Sequence, residues 1–330
     1  MLSRVADSLY WMSRYLERAE HTARLIDVNL NQMLDQHAEY ADQRWELLRT
    51  SLRIPPRGDG TDEAYSMTQA LTFDASNQAS ILACITGARD NARQVREQIS
   101  SEMWEQLNRL YLQMKSTSIE EIWDAEPHKF LVSVKEGAQL FQGIADATMS
   151  HSEGWHFIRV GRFIERASAT ATLIDVHFNA FLGAEWSYST ELLNHLDYLG
   201  WVGLLRSCAA FEAYCKVYTA NVQPIRIAEF LLLNAESPHS VRFAAAMMQG
   251  ALQAIAKATN IRSTGRVERL AGRLRAALDY DQIEEIMSGG MHAYLENIQR
   301  QCAQIHSAIY QAYVVYPIDV ALTARGAAQA

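Results

Sequence analysis

Proline is scarce in this chain, six in 330 residues, and cysteine is scarcer, with four. Few prolines and little alternation of apolar and polar residues leave the helix as the main element and argue against a β fold. The cysteines are Cys84, Cys208, Cys215 and Cys302, and none forms a CxxC pair. They offer no disulfide framework and point to a reducing compartment. No run is apolar for long enough to cross a bilayer. Arg4, Asp7, Arg14 and Glu17 interrupt the N-terminal stretch before it could act as a signal peptide. A cytoplasmic protein with no membrane contact is expected. A formal net charge of −8 argues against nucleic acid as a partner.

Catalytic signatures are missing as well. There is no HExxH and no Glu-x-x-His pair to supply a zinc or di-iron ligand set. Walker A, strand-linked GxGxxG and GxSxG are absent, and Ser288–Met291 (SGGM) follows a predicted helix, where it reads as a break. Neither metal nor cofactor is expected.

What the chain does have is one stretch written twice. RYLERAEHTARLIDVNLNQML, from Arg14 to Leu34, returns as RFIERASATATLIDVHFNAFL, from Arg162 to Leu182, at an offset of 148. Between Leu16 and Leu34, eleven of nineteen positions are identical, Glu17/Glu165 and Arg18/Arg166 among them, and Arg14/Arg162 adds one more. Similarity at a long period points to a duplicated structural unit. Leu9, Met12, Leu16, Ala19, Ala23, Ile26, Leu30 and Met33 step by three and four, as do Phe157, Val160, Ile164, Ala167, Ala171, Ile174, Phe178 and Phe181. Each series is the apolar seam of a long helix with small residues at its middle. Leu25 and Val28 lie off the seam, so the helix is expected to pack on two faces and to bury part of its charge. Buried charge must be paired. Two copies offer a crossed solution, with Glu17 on Arg166 and Glu165 on Arg18. The alternative is that these charges, with Arg14 and Arg162, line a cleft for an anionic ligand. His21 stands one turn from Glu17, but the second copy has Ala169 there, which argues against a metal site.

The remaining pattern predicts helices over Ser3–Gln36, Gln43–Leu52, Asp62–Ala70, Ile81–Ile99, Glu102–Lys115, Pro127–Met149, Pro224–Leu233, Pro238–Ala258, Thr264–Leu278 and Met291–Tyr313. Ser237 is the expected N-cap of the helix opened by Pro238. Pro55–Gly60 reads as a loop, and the final LTARGAAQA as a frayed tail. FDASNQASI (Phe73–Ile81) and LNAESPHSV (Leu233–Val241) share one plan, a polar turn leading into a helix. The expected architecture is an all-α multi-helix bundle with an internal duplication. Its two pseudo-symmetric halves, 1–150 and 151–330, are each opened by a Glu-Arg helix and packed as one unit.

Arginine carries the remaining chemical interest, because guanidinium suits carboxylate and phosphate. Arg89, Arg93 and Arg96 form one stripe, and Arg262, Arg266, Arg269 and Arg273 another. Either stripe reads as a solvated face with local partners or as an anion surface.

YLERAEHTARLIDV and GRFIERASATATLIDV resemble the motifs of the bacterial alpha-E family, also known as DUF403. Ile81–Asn108, AEFLLLNAESPHSVRF and Gly265–Leu278 are similar to it too, so the resemblance spans essentially the whole chain. It implies an all-α fold with Glu-Arg motifs. It also implies association with circularly permuted ATP-grasp proteins and transglutaminase-like peptidases that make or process peptides or peptide tags. The motif residues carried over are Glu17, Arg18, Glu165 and Arg166, with no reaction attached to them. His239 departs from the arginine expected in its turn. Three functions follow as expectations. One is an accessory module serving such a ligase and holding an acidic peptide. The second is an enzyme of peptide or amide chemistry with Glu17 and Glu165 as acid or base and Arg14, Arg18, Arg162, Arg166, Arg89 and Arg93 as anion contacts. The third is a purely structural scaffold.

Overall fold

The computed structural model describes residues 1–35, 41–54, 63–182, 195–219, 221–259 and 265–315. Among these there are fifteen α-helices and no strand. The expected loop at Pro55–Gly60, the tail and Arg262 lie outside the described residues.

Two long helices form the centre. α1 runs from Ser3 to Asp35 and α8 from Glu153 to Leu182. They lie side by side in the same direction, since their contacts advance together: the Met1 amino group on Glu153, Tyr10 against Gly161, Arg14 on Glu165. The predicted seams are the buried faces. Leu9, Met12, Leu16, Ala19, Ala23 and Ile26 are at most 1% exposed. Phe157, Val160, Ile164, Ala167, Ala171, Ile174 and Phe178 are buried too. Leu25 and Val28 are also covered, so α1 packs on two faces. The small residues at the seam let other helices approach, and Gly161 permits a close contact with the α1 backbone. A Cβ there would fall inside van der Waals distance of the Tyr10 carbonyl oxygen.

Around this centre the helices recur in two sets. In the first, α1 packs on α4 (Ile81–Gln94) and α7 (Pro127–Thr148), and α5 (Ser101–Ser116) joins α4 to α7. In the second, α8 packs on α12 (Val241–Thr259) and α15 (Met291–Ile309), and α13 (Gly265–Tyr280) joins α12 to α15. Short helices connect them: α2 (Ala41–Ser51), α3 (Glu63–Thr72), α6 (Ile119–Asp124), α9 (His195–Ser207), α10 (Phe211–Tyr218), α11 (Pro224–Leu233) and α14 (Ile283–Gly289). Individual contacts recur as well. The Thr22 hydroxyl donates to the Ala79 carbonyl and the Thr170 hydroxyl to the His239 carbonyl. Asp27 meets His128 Nδ1 at 2.6 Å, and Asp175 meets His292 Nδ1 at 2.7 Å.

Several boundaries depart from the sequence reading. α12 starts at Val241, and its cap is Ser240 rather than Ser237: the buried Ser240 hydroxyl accepts from the Phe243 amide. Ser237 and Pro238 sit in the preceding turn, where Asn234 Oδ1 accepts the Glu236 and Ser237 amides. This side-chain turn carries the chain through Ser237 and Pro238 before the helix begins. α4 ends at Gln94; Val95 and Ile99 stay buried although they follow it. Their apolar spacing reports burial, not helix. α6 was missed although Ser118 and Glu121 form a capping box, a signal written in the sequence as Ser-x-x-Glu. α14 was missed too, and Gly290 separates it from α15 at φ 99, a conformation suited to glycine. α15 ends at Ile309 and one π-helical turn, Tyr310–Val314, continues it.

Candidate functional site

The two Glu-Arg motifs face each other across α1 and α8. Glu17 Oε1 accepts from Arg166 Nε at 2.5 Å and Oε2 from Arg166 Nη2 at 2.9 Å, a bidentate pair with both side chains at most 4% exposed. Glu165 lies on the opposite side of the contact. Its Oε1 accepts from Arg18 Nε at 2.7 Å and its Oε2 from Arg14 Nε at 2.7 Å. This is the crossed arrangement that the two helices allow, and it gives each carboxylate oxygen a guanidinium donor. Burial alone would raise the Glu165 carboxyl pKa; the guanidinium charges of Arg14 and Arg18 and their hydrogen bonds outweigh it and hold the pKa below the ordinary carboxylate value.

The surroundings of the two pairs differ. Beside Glu17, Arg166 Nη1 donates to the Pro238 carbonyl at 3.1 Å, and the Gln142 amide reaches Glu17 at 3.4 Å. Arg162 approaches Glu17 only to 3.7 Å, and its Nε meets no acceptor among the described residues. Burial and the neighbouring Arg166 lower the Arg162 pKa. One turn beyond the motif, Glu20 is 2% exposed, pairs with Arg24 and accepts from the Gln139 amide. Burial opposes ionisation of Glu20, but the electrostatic influence of Arg24, then of His239 and Arg166, overcomes it, so its pKa is lowered. This side is filled by protein.

The Glu165 side opens into a cleft of about 660 Å³. Arg14, Arg18 and Glu165 form its inner wall, with Ser168, Ala169, Thr172 and His21. Arg49 and Arg53, at the C-terminal end of α2, and the Asp74–Ala79 turn form the rest. Arg14 is held from behind: its guanidinium lies 4.6 Å from the Trp11 ring centroid, and Nη1 reaches Tyr10 Oη at 3.3 Å. Tyr10 Oη in turn meets His306 Nδ1 at 2.8 Å. Desolvation lowers the His21 pKa to about 4, so that imidazole is neutral. Arg49 also pairs with Glu46, and Arg53 donates to Gln299 at 2.7 Å. Counting Arg14, Arg18, Arg49 and Arg53 against Glu165 and Asp74, the lining carries an excess of positive charge.

Of the arginines singled out in the sequence, Arg14 and Arg18 line the cleft, while Arg162 and Arg166 lie on the filled side. Arg89 and Arg93 are not brought to it. Arg89 packs 4.4 Å from the Tyr111 ring centroid and donates to Asn108 on α5, and Arg93 is exposed. The face pointing away from α1 put them there, because only the opposite face of α4 meets the central helix. Arg266, Arg269 and Arg273 are exposed on α13, a solvated face. Arg49, Arg53, Glu20, Arg24 and the Asp74 turn escaped the sequence reading. The signal for part of this set lay in the mismatches between the two copies: Glu20, His21 and Arg24 stand where the second copy has Ser168, Ala169 and Thr172. Three cysteines, Cys84, Cys208 and Cys302, are buried, and desolvation pushes each thiol up to about 12, which keeps them protonated. No helix among the described residues is long and apolar enough to cross a membrane.

The pattern of a family named Alpha-E, described as a predicted alpha-helical domain with a conserved ER motif, matches residues 1–314. Uncharacterized proteins of Mycobacterium bovis and Mycobacterium tuberculosis are 23% identical over 327 residues, a match that covers 93% of this chain and 35% of theirs. The chain thus spans about a third of the length of these curated relatives. No solved structure matches it.

Proposed function

The chain belongs to the Alpha-E family, and we propose that it is a non-catalytic helical module of the cytoplasm. In this reading it works beside a circularly permuted ATP-grasp ligase and a transglutaminase-like protein in making or processing peptides or peptide tags. The observation that carries the non-catalytic part is the state of the motif carboxylates. All four oxygens of Glu17 and Glu165 accept from guanidinium groups on the opposite helix. A general base needs a carboxylate within reach of substrate and with a pKa near the working pH; Glu17 is buried and Glu165 is held ionised by two arginines. The matched part of the mycobacterial relatives is a fraction of a longer chain, which supports reading this fold as a unit that works joined to others. The partners are those implied by the family resemblance, and the free buried cysteines accord with a reducing compartment.

Co-expression with the ATP-grasp protein tests this reading. A complex that survives size-exclusion chromatography, and that the Glu165→Gln variant also forms, is expected. No association with or without ATP and peptide contradicts it. The enzymatic alternative predicts instead a turnover that disappears in folded Glu17→Gln and Glu165→Gln variants.

A further inference from the structure

We propose that the cleft beside Glu165 binds a small ligand carrying two or more carboxylates, with Arg18 as its principal contact. On the filled side of the α1–α8 contact a protein carboxylate, Glu20, occupies the corresponding region.

Comparison of the two sides carries the inference. Arg166 donates Nε and Nη2 to Glu17 and Nη1 to the Pro238 carbonyl, so every nitrogen has an acceptor. Arg18 holds the matching place in the first copy. It donates Nε to Glu165, and its two terminal nitrogens meet no acceptor among the described residues. The Arg18 side chain is 25% exposed and lines the cleft, against 4% for Arg166. A guanidinium has five donors in a fixed fork, and a half-buried one with its terminal edge unmet is suited to an oxyanion.

The filled side shows which oxyanion. Glu20 lies one turn beyond Glu17 on the same helix, and its carboxylate sits in the field of Arg166. Its counterpart beyond Glu165 is Ser168, which lines the cleft together with Arg18. Where one copy places a carboxylate, held by Arg24, near the motif arginine, the other places a short hydroxyl and about 660 Å³ of space. Ala169 and Thr172, in place of His21 and Arg24, widen the same region. A ligand carboxylate in this space meets the terminal edge of Arg18, which has no acceptor among the described residues. Arg49 and Arg53, elsewhere on the cleft wall, favour a ligand with a second acidic group over a monocarboxylate. The volume suits a small organic ligand. The inference does not depend on which protein the chain works beside.

Isothermal titration with triglutamate, against triglycine and inorganic phosphate at low salt, tests it. The intact chain is expected to bind triglutamate at least tenfold more tightly than either comparator, and added salt to weaken binding. Arg18→Gln is expected to weaken it by tenfold or more, and Arg93→Gln, on the exposed face of α4, to leave it unchanged. Ser168→Glu copies Glu20 into the cleft and is expected to abolish binding while the melting temperature holds or rises. If that variant does not fold, Ala169→His, which copies His21, narrows the same space and is expected to weaken binding likewise. Failure of triglutamate to bind the intact chain, or unchanged binding in Arg18→Gln, overturns the site. Phosphate binding as tightly as triglutamate overturns the carboxylate assignment. Partner co-purification is a separate readout, so either proposal can fail alone.

Discussion

Arg18 and Arg166 hold equivalent places in two like helices, yet Arg166 engages protein acceptors through all three of its nitrogens and Arg18 through Nε alone. The difference is set by neighbours rather than by the motif. Pro238, Glu20 and Arg24 close in on one side, while Ser168 and Ala169 leave the other open. One Glu-Arg pair is therefore a clamp between α1 and α8, and the other is a clamp with a face to solvent.

The close approach of α1 and α8 is testable at a single glycine. Gly161→Ala forces a methyl against the Tyr10 carbonyl, a backbone atom that cannot turn aside. A loss of about 1–3 kcal/mol in urea denaturation is expected. Gly143→Ala, on the exposed side of α7 with nothing near its Cβ, is expected to stabilise by about 0.5–1 kcal/mol. Equal effects of the two substitutions contradict the helix contact as described.

The start of α12 yields a second test. Ser240 is fully buried; its hydroxyl accepts the Phe243 amide and donates to the Asn234 carbonyl. Ser240→Ala is expected to cost about 1–2 kcal/mol, the upper part of the range for a lost cap. Ser237→Ala, outside the helix, should cost clearly less. The reverse order would restore the start at Pro238.

Acid should destabilise the protein before its carboxylates titrate. His177 is buried beside the Leu173 carbonyl, and desolvation lowers its pKa from 6.5 to about 4. The unfolded chain then binds a proton that the folded chain refuses. Stability is complete above about pH 6.5 and falls as the pH drops toward 4. His21 acts in the same direction. Glu165, whose pKa is lowered from 4.5, adds a loss at still lower pH, as its ion pairs are protonated away. From pH 7 to pH 5 the His177 share is about 2 kcal/mol. Urea midpoints at the two pH values, in the intact chain and in His177→Gln, measure it. An unchanged slope in the variant rules out His177 as the source.

Much of the fold was written in periodicity. The seams of α1 and α8 could be read because small and apolar residues repeat at three and four, and burial follows that repeat from Leu9 to Ile26 and from Phe157 to Phe178. The crossed ion pairs were legible for a related reason: buried charge needs a partner, and the second copy offered one. The short helices α6 and α14 were not read, because fewer than two turns are too short for a periodic pattern to stand out. Ser237-Pro238 imitated a helix start, and only the Asn234 side chain, which accepts the Glu236 and Ser237 amides, reveals a turn there. The cleft was half visible. Arg14 and Arg18 were singled out by identity between the copies, whereas Ser168, Ala169 and Thr172, which open the space, are places where the copies differ. Arg49, Arg53 and the Asp74 turn reach the cleft only through the packing of separate elements, which one-dimensional spacing does not encode.

The most direct test of the clamp is a double-mutant cycle across Glu17 and Arg166, with Glu17→Gln, Arg166→Met and the pair measured by chemical denaturation. Removing one partner of a buried ion pair costs about 3–5 kcal/mol, whereas removing both costs far less than the sum. Single losses of that size and a coupling on the order of 2–3 kcal/mol are expected, with Glu165→Gln costing less because its site is more exposed. Near-additive losses, or single variants as stable as the intact chain, would contradict the clamp and return Glu17 to the list of candidate catalytic groups.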